Sequence, residues 1–149
     1  MVERAIIVHC LADARAAAAA AAALGCPVTL STAPGAATYL GPAWLSTLIA
    51  RVAEEYPHVA ITGLVDCGDR PGYVLAALRQ GARRIRFTGR PKVARSLAAA
   101  AESCGATLVT GHIETLDLAE HDNDRQSACR RWLAAVQRRK SKGGRTRTR

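Results

Sequence analysis

Apolar residues along this chain alternate between short β-rich runs and longer stretches with helical spacing. Ala5-Ile-Ile-Val-His-Cys-Leu11 reads as a continuous buried strand. The alanines that follow read as a helix stopped at Gly25, with Pro27 just beyond. Val28–Thr32 is a second strand and Pro34-Gly35 a turn. Pro42–Glu55 places Trp44, Leu48 and Val52 on one helix face, with Leu45 and Ile49 beside them. Ala60–Val65 is a third strand, ending in Asp66-Cys67-Gly68-Asp69. A helix starts at Pro71, a residue accepted at the first helical position, and runs to Gln80 and Gly81. Arg84–Thr88 is a fourth strand, Pro91–Ser103 a fourth helix, and Thr107–Ile113 a fifth strand. A last helix spans Asp124–Lys140, with Ala128, Trp132 and Val136 on one face.

Five strand–helix units predict a five-stranded parallel α/β sheet with flanking helices. Two architectures fit: half of a (βα)8 (TIM) barrel, and an open flavodoxin-like sheet. A complete barrel takes roughly 250 residues, more than the 149 present. In either case the functional edge is the C-terminal end of the strands. The sequence puts His9, Cys10, Thr32, Asp66, Cys67, Thr88 and His112 there. The exposed edges of half a barrel need cover. The Trp132 helix is expected over one edge and a homodimer over the other.

Composition changes this picture in three ways. Alanine supplies 31 residues and aromatics only 4%, so the core is built from small and aliphatic side chains. The net charge of +9 is concentrated at one end. Residues 138–149 hold seven of the 21 Lys/Arg and none of the 12 Asp/Glu, leaving 14 against 12 in residues 1–137. This divides the chain into a nearly neutral α/β domain, 1–137, and a basic tail, 138–149, expected to be disordered. Five separated cysteines give neither a disulfide framework nor a zinc ribbon. Together with the lack of a signal-peptide pattern and of a membrane-spanning run, they predict a cytoplasmic protein with no membrane partner.

Residues 27–89 carry a further pattern. Pro27-Val-Thr-Leu-Ser-Thr-Ala-Pro-Gly-Ala36 is followed by Tyr39-Leu-Gly41 and by a helix ending Glu54-Glu-Tyr-Pro57. Leu64-Val-Asp-Cys-Gly68, Ala77–Gly81 and Arg84–Gly89 come next. This succession resembles the N-terminal half of class II, metal-dependent fructose-bisphosphate aldolases. The resemblance implies that Asp66 occupies the place of the aldolase general acid/base, the one catalytic assignment it yields. It also implies a degenerate site. Cys67 replaces a metal-binding His, Ala33 a substrate-contacting Ser, and Thr110-Gly-His112 a pair of Glu. Read from its residue type alone, Asp66 is a helix cap or a solvated loop carboxylate.

Two other constellations carry chemistry. His9, Cys67 and His112 end odd-numbered strands, which in a barrel feed common interior layers, and a Cys/His/His set would suit zinc. Thr88-Gly89-Arg90 leads from a strand into a helix whose free N–H groups could hold a phosphate or other anion. No nucleotide-loop or hydrolase signature is present. The expectation is therefore an aldolase-like pseudoenzyme without independent lyase activity or a required cofactor, binding a phosphorylated small molecule. The alternatives are a metal-dependent aldehyde-lyase for sugar phosphates, completed by oligomerisation, and a protein that binds nucleic acid non-specifically through its tail.

Overall fold

A computed structural model describes residues 3–143. Its elements are β1 (Glu3–Ile7), α1 (Leu11–Leu24), β2 (Val28–Ser31), α2 (Pro42–Glu55), β3 (Ile61–Asp66) and α3 (Pro71–Arg79). They continue with β4 (Arg84–Arg86), α4 (Pro91–Ser103), β5 (Thr107–Val109), β6 (Ile113–Asp117) and α5 (Arg125–Gly143). All strand pairs are parallel, in the order β5-β4-β3-β2-β1-β6. The run from β1 to β5 without interruption is the barrel succession; a flavodoxin-like sheet would place β2 outside β1.

The fifth predicted strand is two strands. Thr107–Ile113 breaks at Thr110–His112, where Gly111 turns at a φ of +82°. β5 stays beside β4, while β6 pairs with β1 at the opposite edge. Val109 and Ile113 are four residues apart, so their Cα atoms are separated by no more than about 14 Å. The edges of a flat six-stranded sheet would lie about 24 Å apart. The sheet must therefore curl. Two observations agree with this. Ala5, Leu64, Val109 and Ile113 form one small buried cluster drawn from β1, β3, β5 and β6. Glu3 on β1 also pairs with Arg84 on β4 at 2.7 Å, three strand positions away. The result is a half-barrel flanked by helices, with six strands in place of the expected five.

Alternation along each strand separates the two faces. Ile6, Val8, Leu30, Val65, Cys67, Ile85 and Phe87 point outward into the larger core beneath the helices. That core explains the alanine content. Ala14, Ala17, Ala18 and Ala21 of α1 are fully buried, and α1 packs mainly against α5 through these small side chains. Gly25, left-handed at φ 61°, closes α1 by donating to the carbonyls of Ala21 and Ala22.

In the C-terminal segment α5 packs chiefly on α1, with Arg139 3.7 Å from Glu114 of β6, and β6 extends the sheet beyond β1. Residues 138–143, assigned to the tail, continue the helix to Gly143; residues 144–149 lie outside the described residues. Among the described residues no helix is long and apolar enough to cross a membrane.

Candidate functional site at the strand ends

Asp66, the last residue of β3, is buried and points into the concave side of the sheet. Its Oδ1 accepts hydrogen bonds from Gly35 N–H at 3.0 Å and Gly68 N–H at 2.9 Å. Its Oδ2 lies 3.5 Å from Arg86 Nη1, and Arg86 is its direct partner across the β3–β4 ladder. The Asp66 main-chain N–H donates to Thr32 Oγ1 at 2.9 Å, tying in β2 as well. Both glycines are left-handed, and the two loops touch: a Cβ on Gly68 would sit 3.5 Å from Gly35 Cα. Asp66 is thus neither a cap on α3 nor a solvated loop carboxylate. It joins the loops after β2 and β3. Arg86 Nε is buried and has no hydrogen-bond partner among the described residues.

A second carboxylate knot lies at the end of β1. Asp13, buried in the first turn of α1, accepts from the His9 main-chain N–H at 2.9 Å and from Arg125 Nε at 2.6 Å. The hydrogen bond to Asp13 raises the Arg125 pKa. His9 Nε2 is 2.6 Å from Asp117 Oδ1, and that oxygen also accepts from Ala119 N–H at 3.0 Å. Asp13, Asp117 and Arg125 carry no motif in the sequence, whereas Arg86 belongs to the basic cluster Arg83, Arg84, Arg86 and Arg90 around the fourth strand. Asp13 left one signal, as the only acid in the alanine helix. Arg125 and Asp117 left none, because Asp13 and His9, the residues they tie in, lie over 100 positions away.

The expected metal set is not assembled. Cys67 is turned to the helix-facing core, where burial, with a smaller contribution from Asp66, pushes its thiol up to about 12. His112 is exposed in the link between β5 and β6, and His9 is engaged by Asp117. Among the described residues no group of three His, Cys, Asp or Glu side chains could hold a metal ion. A divalent lyase site needs three such ligands and an open position, and these residues do not fit one.

Thr88 and Gly89 line a groove of about 550 Å³ between the ends of β4 and β5 and the start of α4, together with Arg95, Thr110 and Gly111. The first turn of α4 has no side-chain cap, so it offers unpaired N–H groups beside this groove. A side chain at Gly89 would force the buried Phe87 ring to shift. A Cβ there would come within 2.3 Å of the Phe87 ring. Arg90 is the N-cap residue of α4, exposed, and outside the groove lining.

No protein-family model matches the sequence, and no curated protein matches it. Among solved structures, the chain is similar to one assigned as a fructose-1,6-bisphosphate aldolase from Coccidioides immitis. The TM-score is 0.59 at 20% identity, over 73% of this chain and 45% of that one. The fold is aldolase-like. This chain spans less than half the length of that aldolase. At this identity the likeness bears on the half-barrel alone.

Proposed function

We propose that this chain is an aldolase-like module that binds a small phosphorylated molecule at the ends of β4 and β5 and has no independent lyase activity. The observation that carries this reading is the engagement of Asp66. Its carboxylate is held by Gly35, Gly68 and Arg86, and a base must instead be free to reach the proton it takes from a substrate. The class II resemblance would give Asp66 a catalytic part only beside a divalent ion, and His9, Cys67 and His112 do not converge to hold one. Binding needs less. The groove beside α4 supplies a hydroxyl from Thr88, a guanidinium from Arg95 and the uncapped N–H groups of a helix start, donors that suit a phosphate.

The test combines calorimetric titration with inorganic phosphate and fructose 1,6-bisphosphate, metal analysis after dialysis, and an aldol-cleavage assay. The expected result is saturable phosphate binding weakened by Arg95→Gln and Thr88→Val, with cleavage at background. Near-stoichiometric zinc that depends on Cys67, together with cleavage of a ketose phosphate, would overturn this reading in favour of a metal-dependent lyase completed by a second copy of the chain. Light scattering on the same sample detects such a copy.

A further inference from the structure

The α5 helix has one face that the half-barrel does not use. Its inner side chains, Ala128, Cys129 and Leu133, are buried, and Trp132 and Val136 are half-buried. Its outer side carries Arg130, Arg131, Arg138 and Lys142, all exposed, with Ser127, Ala134 and Ser141 between them. At 100° per residue these four cations fall within roughly a third of the helix circumference. Arg139 and Lys140 turn to the other side of the helix, where they line a groove with Trp132 and Val136. The helix contains no Asp or Glu, and the sequence continues with Arg145, Arg147 and Arg149. Among the described residues a carboxylate reaches one of the four outer cations, Asp124 pairing with Arg131 at 3.0 Å, while Glu114 lies 3.7 Å from Arg139 on the side turned to the sheet. Among the described residues no carboxylate lies within 4 Å of Arg130, Arg138, Lys140 or Lys142.

We propose that the outward face of α5 binds the phosphodiester backbone of nucleic acid. Three features favour this partner over an anionic membrane. A membrane-surface helix must present an apolar face to lipid, and the apolar face of α5 is already packed on α1 and the sheet. Among the described residues the exposed large apolar side chains, Tyr39, Tyr73 and Leu75, lie in the β2–α2 loop and on α3. The cations are mostly arginine, whose fork-shaped donor set matches phosphate oxygens. With no aromatic side chain on this face to stack a base, recognition is of backbone charge and independent of sequence. This surface is separate from the groove beside α4, so either proposal can fail without the other.

The experiment is fluorescence anisotropy of the full chain with a labelled DNA duplex and a labelled single-stranded RNA. If three phosphates are neutralised, affinity falls about 40-fold between roughly 50 and 200 mM salt. The set Arg130→Glu, Arg138→Glu, Lys142→Glu is expected to abolish binding while circular dichroism stays unchanged. The milder Arg130→Gln, Arg138→Gln, Lys142→Gln set covers the case in which charge reversal perturbs folding; it is expected to flatten the salt slope by about three contacts. Replacing Arg145, Arg147 and Arg149 by Gln should retain most of the slope. The proposal is overturned by absence of binding at low salt, by unchanged affinity in the α5 variants, by loss of binding in the Arg145/Arg147/Arg149 variant alone, or by tighter binding to phosphatidylserine vesicles than to either nucleic acid.

Discussion

Asp66 and Asp13 are each 2% exposed, each accept a main-chain N–H, and each face an arginine, yet they organise different parts of the molecule. Asp66 is a local device. Its partners come from the two loops beside it and from the adjoining strand, and its Oδ1 satisfies two glycine N–H groups that an alternative side chain would leave bare. Asp13 is a long-range device. It reaches across 112 positions to Arg125 and ties the first turn of α1 to the start of α5. The Arg86 side chain is 17% exposed and the Arg125 side chain 31%, so water can replace a lost partner more easily at Arg125. Buried carboxylates of similar appearance thus stabilise the rim in one case and the docking of the last helix in the other.

Removing each carboxylate is the most direct way to break this comparison. Asp66→Ala leaves two loop N–H groups and a mostly buried guanidinium without an acceptor, and should cost about 3 kcal/mol in urea denaturation. Asp13→Ala should cost less, about 2 kcal/mol, because Arg125 can rehydrate. Hydrogen exchange should then distinguish them, with Asp13→Ala loosening α5 selectively and Asp66→Ala lowering protection across the strand ends. Equal costs, or exchange patterns that coincide, would dissolve the distinction.

Gly35→Ala sharpens the local half of the comparison. Its φ of +67° disfavours any Cβ by about 1 kcal/mol, and the strain falls on the loop that donates to Asp66. No left-handed residue takes part in the Asp13 knot, so no equivalent weak point exists there.

The thiols report on both knots without changing stability. Cys67 lies beside Asp66 and Cys129 beside Asp13; burial first, and then the neighbouring carboxylate, pushes each thiol up to about 12. In the native protein a thiol reagent at pH 8 should modify the exposed Cys10 and Cys104 rapidly and leave Cys67 and Cys129 unmodified. Asp66→Ala is expected to speed labelling of Cys67, and Asp13→Ala that of Cys129, each without the other.

The smallest effect is expected at Arg15 and Glu55, an exposed two-pronged pair that serves as a contrast to both buried knots. Hydrogen bonding to Arg15 lowers the Glu55 pKa below the usual carboxylate value. Its contribution is therefore fully present above the unfolded glutamate pKa of about 4.3 and is lost as pH falls through the folded value. Arg15→Ala should lower the urea midpoint slightly at pH 7, and the difference should vanish in acid and shrink in high salt.

Much of the architecture was legible from hydrophobic period alone, because a buried parallel strand is a short unbroken apolar run and each helix has its own stop signal. Val28–Thr32 and Arg84–Thr88 found their strands and Gly25 marked a helix end, whereas Ala5–Leu11 ran past β1, which ends at Ile7, into the first residue of α1. The break at Thr110–His112 was not legible. Thr107–Ile113 has the composition of one strand, and only the glycine conformation and the two opposite edges divide it. The site was legible in part for the same reason. Residue type and strand-end position placed Asp66 and Thr88 on the rim, as two-residue periodicity requires. Which way a strand-end side chain turns depends on a phase that one residue reverses, and this put Cys67 under the helices, away from His9 and His112.

By itself, then, the sequence determined what is local: the order of the elements, the parallel α/β class, the alanine-rich core and the position of the basic residues. Those follow from side-chain volume, polarity and backbone preference over a few neighbouring residues. The tertiary structure alone decided the curl of the sheet, the ends to which β5 and β6 go, and the engagement of Asp66 and Asp13. It also decided that Arg138 and Lys142 ride on a folded helix. These depend on meetings between residues far apart in the chain, which local preference does not encode and which closure and packing of the whole domain bring about.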